Sequence, residues 1–299
     1  MALASFAASS AYADVLDDLA LNSNGGTCDI AIQDYSQYGQ QRYDSLSRYD
    51  YVEPLELRLT HNGQGRCRGV LNFDIGVNTG QLTGANGDAL NFLLLDGYSS
   101  NSVLFNPQTG QTNGLMVDLQ AGQSVRLKPY FYIKRRQAGH SGTYTAPIDM
   151  VFTGQTPAET RRQTLDLSAH VKASVQANFT GVARLPGVAG LSLLNLGEIA
   201  PGQVQRLGLQ LRANSDVDVA FSSRHNGTMK NIQYDGEFLG YDMTIAGQPI
   251  DLSHQDAIVL GTAVSRNGVT APVEITVENY DSAAAGVYFD IIEVRVSAR

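Results

Sequence analysis

Tryptophan is absent from this 299-residue chain, and only two cysteines, Cys28 and Cys67, are present. Charge is sparse as well, at 17% of residues, with a net charge of −8. A weakly charged acidic chain lacks the basic patch that a phosphate-backbone binder needs, so no nucleic-acid partner is expected. No apolar run approaches the ~18–20 residues that cross a bilayer as a helix, so no membrane span is expected either. Two isolated cysteines without nearby histidine do not make a zinc site. The five histidines (His61, His140, His170, His225 and His254) are scattered without metal-ligand spacing. There is no Gly-x-Ser-x-Gly elbow and no phosphate loop. Asp74 and Asp281 lie near turn residues, without the multi-carboxylate spacing of a calcium loop. A sandwich-fold carbohydrate hydrolase would need two carboxylates roughly 5–10 Å apart, a placement that sequence leaves open. The reading is a non-enzyme with no catalytic residues, no metal and no cofactor.

Abundant residues point to β-structure. Glycine numbers 30, and 14 tyrosines outnumber 10 phenylalanines. Apolar and other residues alternate in "LELRLTH" (Leu55–His61), "VLNFDIGV" (Val70–Val77) and "VRLKPYFYI" (Val125–Ile133). The same pattern recurs in "LGLQLRA" (Leu207–Ala213), "VDVAFSS" (Val217–Ser223) and "VEITVENY" (Val273–Tyr280). Period two means one packed and one wet face, and the short Gly, Asn, Asp and Pro breaks between runs fit an antiparallel sandwich. Only "LDDLALN" (Leu16–Asn22) could form a turn or two of helix. At the N-terminus, Ala11-Tyr12-Ala13 has the small-x-small form of a signal-peptidase site. No Lys or Arg precedes it, so residues 1–13 read as the remnant of a leader whose start is truncated or misassigned, and the protein as exported. In that compartment Cys28 and Cys67 read as a disulfide, with a pair of free buried thiols as the alternative.

One pattern occurs twice. "HSGTYTAPIDMVFTG" (His140–Gly154) and "AAGVYFDIIEVRVSAR" (Ala284–Arg299) both read Gly-x-Tyr and then alternate. Aligning Tyr144 with Tyr288 pairs Gly142 with Gly286, Ile148 with Ile292, Met150 with Val294 and Phe152 with Val296. Two tandem β-sandwich domains explain the offset, which is about one domain long. Between the copies, "TLDLSAHVKASVQANFTG" (Thr164–Gly181) places Leu165, Leu167, Ala169, Val171, Ala173, Val175, Ala177 and Phe179 on one face. An ordinary strand is about 5–6 residues long, so this run is expected to serve two sheets. Its first half (164–170) would close a domain of 14–163, and its second half would open a domain of 164–299. The first Gly-x-Tyr strand thus has a successor to pair with, while the second is followed by nothing. The second sandwich is expected to lack its last strand and to offer a free edge to a strand from another chain. Gly286, Tyr288, Asp290, Ile292, Val294 and Val296 would line that edge.

These features resemble the spore coat U-type domain found in subunits of archaic chaperone–usher pili. "AAGVYFDIIEVRVSAR" is similar to that domain's closing strand, Asp290 included. "HSGTYTAPIDMVFTG" is similar to it with Ala146 at the Asp position. "LDLSAHVKASVQANF" is similar to its opening segment, with Phe179 where a cysteine would stand. "TCDIAI" and "GRCRGVLNF" place Cys28 and Cys67 like the family's disulfide between its first two strands. The resemblance implies two tandem Ig-like antiparallel sandwiches in a fimbrial subunit. It implies a periplasmic chaperone, an usher and a neighbouring pilin as partners, and a path from periplasm to cell surface. "DVLDDLALNSNGG" (Asp14–Gly26) is a poor donor strand, since Asp17 interrupts Val15, Leu19 and Leu21 and Gly25-Gly26 follow. A weak donor and an open second domain together resemble a two-domain tip adhesin for a biofilm, taking an abiotic or host surface as its ligand. The alternatives are a self-contained secreted carbohydrate-binding module and a structural coat or matrix protein.

Two stretches could touch such a surface. Tyr35, Tyr38, Tyr43, Tyr49 and Tyr51 are interleaved with polar residues, a habit of binding loops but also of polar hairpins with cross-strand tyrosines. Leu93, Leu94 and Leu95 form a run that is either a buried strand or an exposed apolar finger.

Overall fold

The computed structural model describes residues 27–36, 42–76, 80–97, 101–105, 113–184, 190–254, 257–260 and 268–299. The leader segment, Leu16–Asn22 and Tyr38 lie outside them. The chain is all-β, and among the described residues the one helical element is the short 3-10 turn Pro157–Glu159. Among the described residues no helix is long and apolar enough to cross a membrane.

Two separate cores form. The first gathers residues from Cys28 to Val171 and the second residues from Leu209 to Val277. In the first unit the hub is the strand Gly142–Thr153. One edge pairs with Arg161–Val171 along almost its whole length, from Gly142 opposite Val171 to Phe152 opposite Arg161. The other edge pairs with Gln81–Gly84 and then with Arg66–Asp74. With hydrogen-bonding partners on both sides, its inward residues are sealed: Tyr144, Ala146, Ile148, Met150 and Phe152 are at most 3% exposed. A smaller sheet of Ile30–Asp34, Leu57–His61 and Ser124–Leu127 covers the core. The alternating run Val125–Ile133 is two strands rather than one, because Pro129 has no N–H to donate. Ser124–Leu127 joins the small sheet, whereas Tyr130–Ile133 pairs with Ala89–Leu95 and Tyr51–Pro54. Cys28 and Cys67 form a disulfide with a Cα–Cα distance of 5.0 Å. Closing a loop of that span restricts the unfolded chain by about 3–4 kcal/mol.

The alternating segment divides. Leu165, Leu167, Ala169 and Val171 lie in the first core, at 3% exposure or less. The strand Val175–Thr180 then pairs with Val204–Ala213 in the second unit. The strand that closes the first unit runs from Arg161 to Val171, and the break between the two strands falls at Lys172–Ser174. Asn214, 2% exposed, pins that break. Its side-chain amide donates to Lys172 O at 2.8 Å, and its side-chain oxygen accepts Ser174 N–H at 2.7 Å. Its backbone carbonyl accepts Ser141 N–H at 2.8 Å. Ala173, expected in the core face, is therefore exposed at the crossing point.

In the second unit one sheet runs Val175–Thr180, Val204–Ala213, Val269–Val277, Phe238–Ile245, Thr228–Asn231 and Tyr288–Phe289. The facing sheet has Ala257–Leu260, Val217–Ser223 and Ile292–Ala298 in that order. The terminal strand Ile292–Ala298 is thus an edge strand among the described residues.

Candidate functional site

The terminal strand pairs with Val217–Ser223 in an unbroken register, Ile292 opposite Ser223 and Ala298 opposite Val217. No described residue pairs with its other edge. Its inward residues Ile292, Val294 and Val296 are only half-buried, although they touch the second core. Their counterparts in the repeat, Ile148, Met150 and Phe152, are at most 1% exposed. Sequence type does not cause this difference, since all six are large and apolar. Among the described residues, the first unit has a strand beside them on each edge and the second has one on a single edge.

The uncovered space is a groove. One wall is Val287–Ile292 with Val294 and Val296; the other is the segment Ser192–Ile199. Leu207, Leu209, Phe221, Met243, Val273 and Ile275 floor one section of about 310 Å³. Met229, Leu239 and Tyr241 floor the next, of about 930 Å³. The sections share Ser192, Leu194, Ile275 and Ile292, so they are continuous along the strand. Ala177, expected as core, is exposed, and with half-buried Phe179 it lines the groove instead. An alternating apolar strand matches this shape, because its side chains fall on one face every second residue.

Of the remaining expected edge residues, Gly286 is exposed with φ of 153°, and Tyr288 pairs with Asn231. Asp290 has a different role. Its side chain is 4% exposed, and it accepts hydrogen bonds from Tyr241 Oη at 2.6 Å, Ser223 Oγ at 2.5 Å and His225 N–H at 3.2 Å. Its second oxygen also caps Ile291 N–H at 2.8 Å. The carboxylate therefore rivets the groove wall to the floor rather than presenting an open edge. Burial, with the hydrogen bond to Asp290 as a second cause, pushes the Tyr241 phenol above its ordinary pKa. Strand periodicity does not reveal the second wall, Ser192–Ile199; the spacing of Leu194, Leu196 and Ile199 in "LSLLNLGEI" is the available signal.

The expected surface residues separate. Tyr49 is 81% exposed and Tyr35 is 53% exposed. Tyr43 is 1% exposed, a core residue whose phenol donates to Lys134 O at 3.2 Å and accepts Gln137 N–H at 2.9 Å. Tyr51 is buried beside Glu53, to which its phenol donates. The three leucines belong to the strand Ala89–Leu95, not to a finger. Leu94 is buried, Leu95 is half-buried, and Leu93 faces outward at 42% exposure. Leu93 stands opposite Tyr132, which stands opposite Val52, so an outward apolar row crosses three strands.

No protein-family model matches the sequence, and no curated protein matches it. Among solved structures, the chain is similar to the CsuC–CsuE chaperone–tip subunit pre-assembly complex from archaic chaperone–usher Csu pili of Acinetobacter baumannii. That likeness has 14% identity, a TM-score of 0.44, and covers 89% of this chain and 99% of that one. It is also similar to the CupB6 tip adhesin from Pseudomonas aeruginosa, with 10% identity, a TM-score of 0.38, and coverage of 90% and 93%. At such identities and scores these likenesses carry no weight for function.

Proposed function

We propose that this chain is an exported surface-fibre subunit whose second sandwich is completed by a strand from another molecule. The observation that carries this reading is the edge of Ile292–Ala298 that no described residue pairs with, above an apolar groove, beside a sealed counterpart at Gly142–Thr153. Exposed N–H and C=O groups beside apolar side chains favour strand addition, because one partner satisfies both. Before assembly the donor would come from a periplasmic chaperone, and after export through an usher from a neighbouring pilin. The first sandwich, closed on itself by Arg161–Val171, would occupy the tip and contact a surface. The row Leu93, Tyr132 and Val52, with exposed Tyr35 and Tyr49, is the part of it suited to an abiotic or host surface.

The test is complementation. A synthetic peptide of about ten residues with alternating valine and isoleucine is added to the full chain while unfolding is followed. A ligand held at a hundredfold excess over its Kd stabilises by about 2.7 kcal/mol, or roughly 10 °C in Tm. The second sandwich should gain that much and the first little. A stable monomer indifferent to the peptide overturns the fibre reading and leaves a self-contained secreted binding module.

A further inference from the structure

A second concavity lies where the two sandwiches meet. It has a volume of about 550 Å³ and is lined by two loops of the first unit and by the paired ends of two strands of the second, Val175–Thr180 and Val204–Ala213. Arg48 comes from the loop after Tyr43, Arg136 from the loop after Ile133, and Arg212 from the strand Val204–Ala213. Eight other arginines among the described residues stand within 4.0 Å of a carboxylate, Arg66, Arg161, Arg162, Arg206 and Arg299 at 2.5 to 3.2 Å. None of the three in the cleft has a carboxylate partner among the described residues. The nearby acids are already engaged. Asp44 holds Lys172 at 2.8 Å, and Asp50 accepts Arg135 N–H at 2.8 Å and Tyr132 Oη at 2.7 Å. In a chain of net charge −8, three uncompensated guanidiniums around one hollow make a local positive focus.

A second observation also points to a ligand. Ser45 lines the cleft, is 8% exposed, and its buried hydroxyl makes no hydrogen bond among the described residues. Such a group is costly to bury without a partner. Two kinds of donor thus converge, cationic forks for an anion and a neutral hydroxyl for an uncharged polar group. The volume exceeds what a lone oxyanion needs and falls in the range of sites for larger ligands. Polar Gln176 and Asn214 complete the lining, and Leu46 supplies its one large apolar side chain.

We propose that this cleft binds an acidic saccharide, with Arg48, Arg136 and Arg212 on its carboxylate or sulfate groups and Ser45 on a ring hydroxyl. The site needs both units, and it is independent of the groove that a donor strand would fill.

The experiment uses the full chain with three acidic probes: trigalacturonate, sialyllactose and a heparin tetrasaccharide. Methyl-esterified trigalacturonate and sulfate ion serve as controls. At least one acidic probe should bind saturably and weaken with added salt, and Arg48→Ala and Arg212→Ala should each weaken it about tenfold or more, as removal of a charge-assisted contact does. Arg126→Ala, elsewhere on the first sandwich, should change nothing. If the single variants alter folding, Arg136→Asn, which tolerates that residue's left-handed φ of 63°, is the replacement measured. Absence of binding by all three probes overturns the proposal. So does equal binding of the methyl ester, displacement by sulfate alone at matched concentration, or arginine variants that fold normally and bind undiminished.

Discussion

Tyr144 and Tyr288 each donate a hydrogen bond to the backbone carbonyl four residues upstream, at 3.0 Å to His140 O and 2.9 Å to Ala284 O. The glycines two positions before them match as well, with φ of 140° at Gly142 and 153° at Gly286. One local device thus enters the last shared strand of both sandwiches. Their surroundings differ, because Tyr144 is 2% exposed while Tyr288 is half-buried at the lip of the groove.

The two glycines should not be equally replaceable. A Cβ at Gly142 would meet nothing within 4 Å, so Gly142→Ala costs backbone strain alone, about 1–3 kcal/mol. A Cβ at Gly286 would lie 2.7 Å from Asn231 Nδ2. Asn231 is 1% exposed and its side-chain oxygen accepts the N–H groups of Gln233 and Tyr234, so it cannot retreat freely. Urea unfolding should find Gly286→Ala the more destabilising of the two. Equal losses would mean that the Asn231 side chain swings aside without cost.

Much of this architecture is legible in one dimension. Period-two runs form strands, and the repeated Gly-x-Tyr marks matching strands, because both are local consequences of side-chain alternation and backbone freedom. The phase of Leu165–Phe179 is legible only in part. Asn214, distant in sequence, captures Lys172–Ser174 and puts Ala173 outside. Tyr43 reads like a contact residue, yet its amphipathic ring fits a core once Lys134 O and Gln137 N–H satisfy the phenol. The wall Ser192–Ile199 is largely irregular backbone, with Gly197 at φ of 72°, and irregular backbone leaves no periodic trace. The cleft arginines are far apart in sequence, and only the meeting of the two units assembles them.

Truncations should separate the sealed strand from the open one. Leu167 is 0% exposed and stands opposite Ala146, so Leu167→Ala should cost about 2–5 kcal/mol in the chain as it stands. Val294→Ala removes a side chain that is already partly wet, and should cost no more than about 1 kcal/mol alone. With the complementing peptide present, Val294→Ala should also lower the peptide's affinity. Thermal melts of both variants with and without peptide distinguish these cases. A loss from Val294→Ala that ignores the peptide would mean the groove is not where it binds.

Asp290 should behave as a structural acceptor. Asp290→Ala removes the acceptor of the buried Tyr241 phenol and of the Ser223 hydroxyl at once, while His225 N–H keeps Ser223 Oγ as acceptor at 3.1 Å. Breaking a buried charged acceptor of this kind costs about 3–5 kcal/mol. Asp290→Asn keeps the shape and part of the acceptor capacity, so it should recover a portion of that loss. Chemical denaturation followed in the second sandwich reads both, and two silent variants would remove Asp290 from the scaffold of the groove.

Alkaline stability should be set by phenols rather than lysines. Burial raises the Tyr144 pKa to about 12, and the charge on Asp88, whose carboxylate accepts from that phenol at 3.2 Å, adds to the rise. An unfolded tyrosine loses its proton near pH 10. The folded chain therefore holds this proton more tightly than the unfolded one. The contribution is complete below about pH 10, shrinks as pH climbs, and is gone once pH passes about 12. Tyr51, raised by burial and by Glu53, and Tyr241, raised by burial and by Asp290, act with the same sign. The urea midpoint should stay level up to about pH 10 and then fall steeply, with Tyr144 alone accounting for up to ~2 kcal/mol. Tyr144→Phe, which has no proton to lose, should flatten part of that fall while leaving neutral-pH stability slightly lower for want of the hydrogen bonds to Asp88 and His140 O. Near-ultraviolet phenolate absorbance, recorded on the same samples, should show the buried tyrosines ionising only as the chain unfolds. Their ionisation in the folded chain at an ordinary pKa would mean that these phenols are open to water.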